Sequence, residues 1–216
     1  MISELTKCSG ANVIATDFTR WFLALFFIGV AAFYSLRIVL LKRRIGTSPV
    51  FTGHPSTLHF ATHLAFRTFR VVILAVCVVR LLWPGLDRFL ITFDALWHPL
   101  VLILGNGLLL ASFASIVALN FYMREDWRSG TRLDDRTRII TSGPFAVSRN
   151  PMMVCVIIAQ IGLFLALPSA FTLICLVVGV WAVNAQVRVE ERLLRERFGT
   201  TYETYADRTP RWLGFL

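Results

Sequence analysis

The sequence predicts an all-α integral membrane protein: five transmembrane helices, the last two forming a hairpin, with a cytoplasmic helical extension at the C-terminus. Three observations carry that prediction. Of 216 residues, 56% are hydrophobic and 16% charged, with 18 phenylalanines and a mean hydropathy of +0.66, which is too apolar for a soluble domain of this size. The apolar residues are gathered into runs long enough to enter a bilayer. The cations are concentrated in the segments between and after those runs.

The five runs are Trp21 to Leu41, Phe66 to Trp83, Leu96 to Tyr122, Met152 to Leu167, and Ser169 to about Val187. Lys42 to Arg70 holds five Lys/Arg, Arg124 to Arg149 six, and the tail from Arg188 six, whereas the opposite side keeps Lys7, Arg20 and Arg88. The positive-inside bias then places the N-terminus outside and the C-terminus in the cytoplasm, as an odd number of spans requires. The net charge of +9 is thereby a topology signal, and no nucleic-acid partner is expected. An integral protein of a bacterial cytoplasmic membrane fits this pattern.

Residues Met1 to Arg20 read as a loose tail or a brief surface helix. The first span keeps its cations, Lys42, Arg43 and Arg44, behind it, so it reads as a retained anchor and not as a cleaved signal peptide. Gly46, Pro49, Gly53 and Pro55 mark the next segment as a loop. His59 and His63 follow at i, i+4; with His54 and His98 they read as interfacial side chains, and no metal site is expected. In the second span Arg67, Arg70 and Arg80 are placed near the two ends, where long side chains reach the headgroups. Arg80 calls for a carboxylate, Asp87 or Asp94. Cys8, Cys77, Cys155 and Cys175 have no CxxC spacing and read as small buried hydrophobes.

The third span carries Gly105-Asn106-Gly107 and then Ala111, Ser112, Ala114, Ser115 and Ala118, small residues that let helices approach closely. The Asn106 amide needs a hydrogen-bond partner at that depth. The polar segment Met123 to Ser148, with Trp127-Arg128, Gly130, Asp134-Asp135, Arg136 and Arg138, is long enough to be functional. At its end Asn150-Pro151 reads as a helix N-cap followed by proline at the first helical position. Arg149 beside that positive helix end makes a corner suited to a carboxylate or phosphate.

Pro168-Ser169 turns the chain back. From there one helix can run through the bilayer to a stop at Gly199. On it Val187, Leu194 and Phe198 form an apolar stripe flanked by Glu190 and Glu191, with Arg188, Arg192 and Arg195 on another side. The two acids either pair locally with Arg188 and Arg195 or hold a cationic or polyhydroxylated ligand.

Gly143-Pro144-Phe145, Arg149-Asn150-Pro151, Glu190-Glu191, Phe198-Gly199, Tyr202, Tyr205 and Pro210-Arg211 together resemble the C-terminal half of the isoprenylcysteine carboxyl methyltransferase family and its phospholipid methyltransferase relatives, over about the last 75 residues. The chain is identified as a divergent, bacterial-type member. One compact bundle uses all five spans, so a single domain over 1–216 is expected, with N-terminal spans in 1–122 and, as the resemblance implies, a catalytic half in 123–216. The resemblance further implies S-adenosylmethionine as cofactor, a lipophilic or prenylated acceptor and contact with membrane lipid. It makes Arg149 the residue that orients the acceptor's carboxylate or phosphate, and gives Glu190 and Glu191 the cofactor's ribose or amino group. Gly143, Pro144, Asn150, Pro151 and Met153 join the cofactor pocket, which Tyr202, Tyr205 and Arg208 close. Asn150 stands where the family has histidine and Met153 where it has tyrosine.

Methyl transfer from a sulfonium needs alignment and desolvation more than acid–base work. A carboxylate acceptor is already the nucleophile at neutral pH, whereas an amine acceptor must shed a proton, for which Glu190 or Glu191 is available. The expected product is therefore a methyl ester of an isoprenylcysteine-like lipid, with phospholipid N-methylation as the alternative. A membrane reductase, a haem protein and a structural or transport bundle are the other classes that the residues leave open. The oligomeric state is not legible.

Overall fold

A computed structural model of the chain describes residues 2–45, 58–123 and 139–214. It is built from helices: α1 Ile2–Ile45, α2 Leu58–Leu82, α3 Pro99–Met123, the single turn α4 Pro144–Val147, α5 Pro151–Ala166, α6 Ala170–Phe198 and α7 Thr200–Arg208. Two 3-10 turns, Pro84–Phe89 and Asp94–Leu96, connect α2 to α3. Among the described residues there is no strand, only an isolated antiparallel bridge between Thr92 and Ser169. The linker holding His54 and the segment 124–138, with Trp127, Asp134, Asp135 and Arg136, lie outside the described residues, as do the side chains of Cys8, His59 and His63.

The long helices close a ring in the order α1, α2, α6, α5, α3 and back to α1. Segments of α1, α3 and α6 are long and apolar enough to cross a membrane, and α5 is a shorter apolar helix of 16 residues. These features make the chain an integral membrane protein. At about 1.5 Å per residue α5 covers roughly 24 Å, short of a hydrocarbon core of about 30 Å.

Two boundaries differ from the sequence reading. The segment 2–20 is no loose tail: α1 continues from it without a break, because no proline interrupts it and Gly10 has open space around it. Helix α2 begins eight residues before the expected Phe66, so Arg67 and Arg70 lie well inside it and only Arg80 is near an end. The helix extends because residues 58–66 contain neither proline nor glycine.

At the end of the ring where α2 finishes, Arg80 is almost fully buried. Its Nε donates to Asp87 Oδ1 at 2.5 Å, while Arg20 Nη2 donates to Asp87 Oδ2 at 2.6 Å. The carboxylate predicted for Arg80 is thus Asp87. Beside it Trp97 Nε1 donates to Thr16 Oγ1 at 3.0 Å, and Asn106 finds its partner in Thr19 Oγ1 at 2.9 Å. The hairpin turn is tied to the same end by Phe93 N to Pro168 O and Ala170 N to Ile91 O, both 2.9 Å. Ser169 caps α6 by accepting from Thr172 N. Beneath these bonds Leu23, Cys77, Leu90, Leu109, Leu163, Ala166 and Leu167 form the buried core.

Burial alone would raise the Asp87 carboxyl, but the hydrogen bonds and charges of Arg80 and Arg20 hold it below its ordinary value. A lowered folded pKa contributes stability above the unfolded value of about 3.9, and that stability is lost as pH falls through the folded one. Melting in detergent should therefore show an acid-dependent loss beginning near pH 4. Asp87→Asn should remove this component and lower the melting temperature above about pH 4, the two proteins converging as pH falls through the folded value, because Arg20 and Arg80 lack their shared counter-charge once the carboxylate is absent or protonated.

Helices α3 and α5 meet almost backbone to backbone. A Cβ at Gly105 would collide with Ala166 N and lie 2.7 Å from Gly162 O, and a Cβ at Gly162 would lie 3.0 Å from Gly105 O in return. The small residues read in the third span serve this contact. Its consequence for the site is that α5 is held rigidly, with its first turn at the opposite end of the ring from Asp87.

Candidate functional site

Thr141 to Pro151 folds as a tight entry into α5. Gly143 takes φ +61, a conformation that a side chain disfavours, and a Cβ there would meet the Tyr122 hydroxyl at 2.7 Å. Pro144–Val147 makes one helical turn, after which Ser148 is extended. Pro151 then opens α5 at its first helical position, as predicted.

Asn150 does not act as the expected side-chain cap. It occupies the N-cap position with no side-chain cap hydrogen bond, and its Nδ2 instead donates to Glu191 Oε1 at 3.3 Å and to Arg211 O at 3.2 Å. The side chain is oriented instead by its donor end, which makes a charge-assisted hydrogen bond to the buried Glu191 carboxylate.

Glu191 is the centre of the site, 3% exposed on α6. Arg211 grips it in fork geometry, Nε at 3.1 Å from Oε1 and 3.0 Å from Oε2, and Nη2 at 2.7 Å from Oε2. Arg149 Nε stands 3.7 Å from Oε1, an ion pair without a hydrogen bond. Local pairing of Glu191 with Arg188 and Arg195 is not found among the described residues: both arginines are exposed, whereas Glu191 is buried. Two guanidiniums share one carboxylate, so the cluster keeps surplus positive charge beside the N-terminus of α5.

The C-terminal segment straps the cluster together. Arg149 N donates to Pro210 O at 2.9 Å and Ser148 Oγ to Arg211 O at 3.3 Å. This occurs because Gly199, at φ +49, ends α6 and lets α7 double back. Tyr202 is fully buried on α7, its ring 5.8 Å from the Arg195 guanidinium and edge-on to Tyr205. Its hydroxyl lacks a well-formed hydrogen bond, as does Arg149 Nε. Burial, together with the Glu191 charge, pushes the Tyr202 phenol up against the opposing pull of Arg149. Tyr205 donates to Phe145 O at 2.6 Å, and burial pushes its phenol up to about 12. Both tyrosines are therefore neutral donors at physiological pH.

Of the residues expected here, Arg149, Asn150, Glu191, Tyr202 and Tyr205 converge. Glu190 is half-buried next to them and has no ion pair among the described residues. Met153 lies half-buried in the first turn of α5; Gly143 and Pro144 are exposed at its entry, and Arg208 is exposed. Arg211 and Ser148 were given no role by the sequence reading. The Pro210-Arg211 pair was the available signal for Arg211; nothing marked Ser148.

Inside the ring lies an apolar cavity of about 330 Å³ touched by all five long helices, with Phe26, Phe113, Leu163 and Leu176 in its walls. Its volume falls within the range of sites for small organic ligands. At the Asp87 end it meets the buried core, with which it shares Leu109 and Leu163. Towards the ion cluster its wall ends at Val156 on α5 and Ala182 on α6. These are five residues from Pro151 and nine from Glu191, or roughly 8 to 14 Å along the helices. Among the described residues no group of three His, Cys, Asp or Glu side chains is placed to hold a metal ion.

Residues 100–201, from the start of α3 into α7, match the phospholipid methyltransferase family. The match covers the motifs through Gly199 that carried the resemblance and points to a methyltransferase of membranes. No curated protein and no solved structure matches the chain.

Proposed function

From the similarity of residues 100–201 to the phospholipid methyltransferase family, we propose that this protein is an S-adenosylmethionine-dependent methyltransferase acting on a lipophilic acceptor. It works as one domain over 1–216, crossing the membrane five times with its N-terminus outside. The catalytic half, 123–216, comprises the loop, the membrane hairpin and the C-terminal segment, with the C-terminus in the cytoplasm. The observation that supports the reading is an apolar cavity whose wall, on α5 and α6, ends short of a buried, incompletely satisfied ion cluster.

The cluster fits the cofactor chemically. The amino-acid end of S-adenosylmethionine is a zwitterion. Surplus charge on Arg149 and Arg211, with the Tyr202 hydroxyl beside them, suits its carboxylate, while Glu190 suits its amino group or a ribose hydroxyl. Asn150, Pro151 and Met153 line the same entry, and Gly143 and Pro144 shape the loop before it. When bound, the cofactor supplies an electrophilic methyl group on a sulfonium.

The chain's own residues orient and desolvate. Glu191 holds Arg149 and Arg211 in place, the α7 strap with Tyr202 and Tyr205 excludes water, and the cavity takes the acceptor's tail so that its polar end reaches the cluster. Fixing the two reactants in line is the main source of rate. A carboxylate acceptor, as on an isoprenylcysteine-like lipid, needs no base. The family match favours a second reading, a phospholipid amine, for which Glu190 is the carboxylate free to take the proton.

Calorimetry on the purified protein in detergent should give saturable binding of S-adenosylmethionine, weakened by Glu190→Gln. Absence of binding would overturn the assignment. A base-labile methylated product identifies a carboxyl acceptor, and a base-stable one an amine.

A further inference from the structure

Arg70 lies on the wall of the cavity, twelve residues into α2, and ten residues, or about 15 Å, from the Arg80–Asp87 pair. Arg20, Arg80, Arg149 and Arg211 each meet a carboxylate. Arg70 meets none among the described residues; its guanidinium rests on the Tyr34 ring, 5.3 Å from the centroid. Arg70 is exposed on this wall, so its guanidinium is open to a ligand that enters the chamber.

Its position along the ring says which part of that ligand would meet it. Tyr34 is one turn from Arg37, whose Nη2 donates to Asn120 O at 3.1 Å, and Tyr122 near the end of α3 contacts Ser142 of the α5 entry loop. Tyr34, Ser35 and Arg70 thus form a polar rim on the side of the chamber towards the ion cluster. The phenylalanine-rich walls lie beyond them. A molecule with its chain in the chamber must pass its polar end across this rim.

We propose that Arg70 is a specificity-determining residue that selects lipids carrying an anionic group, carboxylate or phosphate, at the junction of tail and headgroup. Tyr34 holds the guanidinium at the rim through the cation–π contact, leaving its N–H groups for the anion. Arg149 and Arg211 are assigned to the cofactor's carboxylate in the proposed function, which leaves this selection to Arg70. The inference rests on the chamber being the acceptor site, and it concerns α2, which lies outside the segment that matches the family.

The test is equilibrium binding to the full chain in an uncharged detergent, without methyl donor, of three probes with the same oleoyl chain: lysophosphatidate, oleate and uncharged monoolein. The wild type should bind an anionic probe more tightly than monoolein by about tenfold or more, as expected for a charge-assisted contact in an apolar setting. Preference for lysophosphatidate identifies a phosphate-bearing lipid, and preference for oleate a carboxylate. Arg70→Gln should abolish the preference while monoolein binding persists, and Arg70→Lys should restore part of it. Inorganic phosphate should not displace lysophosphatidate; displacement would mean a free-anion site. Unchanged preference in Arg70→Gln overturns the role of Arg70. Failure of every probe to bind overturns the chamber itself, and neither result depends on whether the cofactor binds.

Discussion

Glu191→Gln should abolish methyl transfer and cost about 3 kcal/mol of stability, the lower end of what breaking a buried ion pair costs. The lower end applies because the Arg211 side chain is 41% exposed and therefore partly screened by solvent. The glutamine keeps the size of the side chain but leaves Arg149 and Arg211 without a counter-charge and removes the strongest acceptor from Asn150. With the carboxylate gone, the strap from Thr209 to Arg211 loses its anchor, and the cofactor's end of the site loses its shape. Thermal melting in detergent and the initial rate of methyl transfer check the two halves of this result. Glu190→Gln is the contrast: the half-buried neighbour lacks an ion pair among the described residues, so its loss should change stability by less than about 1 kcal/mol while weakening the cofactor. Equal melting temperatures for the two variants would contradict the central position of Glu191.

The second large effect is expected at Gly105. Alanine there drives its methyl carbon into Ala166 N and places it 2.7 Å from both Gly162 O and Leu165 C. All three are backbone atoms, so no rotamer can relieve the clash, and α3 and α5 must separate. The expected cost is about 3 kcal/mol, at the upper end of overpacking. Two other glycines calibrate it. A Cβ at Gly179 would meet the end of the Gln160 side chain, which can swing away, so Gly179→Ala should cost about 1 kcal/mol. Gly107 has open space around it, and Gly107→Ala should be neutral or stabilising by up to about 1 kcal/mol through helix propensity. The order of melting temperatures, Gly107→Ala above Gly179→Ala above Gly105→Ala, checks the account.

Much of the architecture was legible because it depends on local chemistry. Apolar runs located α3, α5 and α6 to within a few residues; proline at 151 and the turn at Pro168-Ser169 located the hairpin; Gly199 located the stop of α6. The starts of α1 and α2 were missed, since hydropathy marks where a helix enters an apolar environment and not where its hydrogen bonding begins.

For the candidate site, sequence spacing brought Glu191 near Arg149 only through the hairpin, and the structure bears out that proximity. It could not foresee that Arg211 would return through α7 to take the carboxylate, because a contact across 20 residues and a reversal at Gly199 leaves no periodicity. Nor could it foresee the fate of Asn150. Helix-cap preference is a local rule, and here a buried carboxylate from a distant helix prevails. The cavity is legible only in the folded ring, since its walls come from five helices and no single one signals a void.

The most direct measurement is transfer of the labelled methyl group from S-adenosylmethionine to lipid, by the purified full chain in bilayer nanodiscs. Label should move into the organic-extractable fraction in proportion to protein and time, and Glu191→Gln should stop it. Lipid that stays unlabelled with the folded wild-type protein, across carboxyl-bearing and amine-bearing acceptors alike, would contradict the assignment.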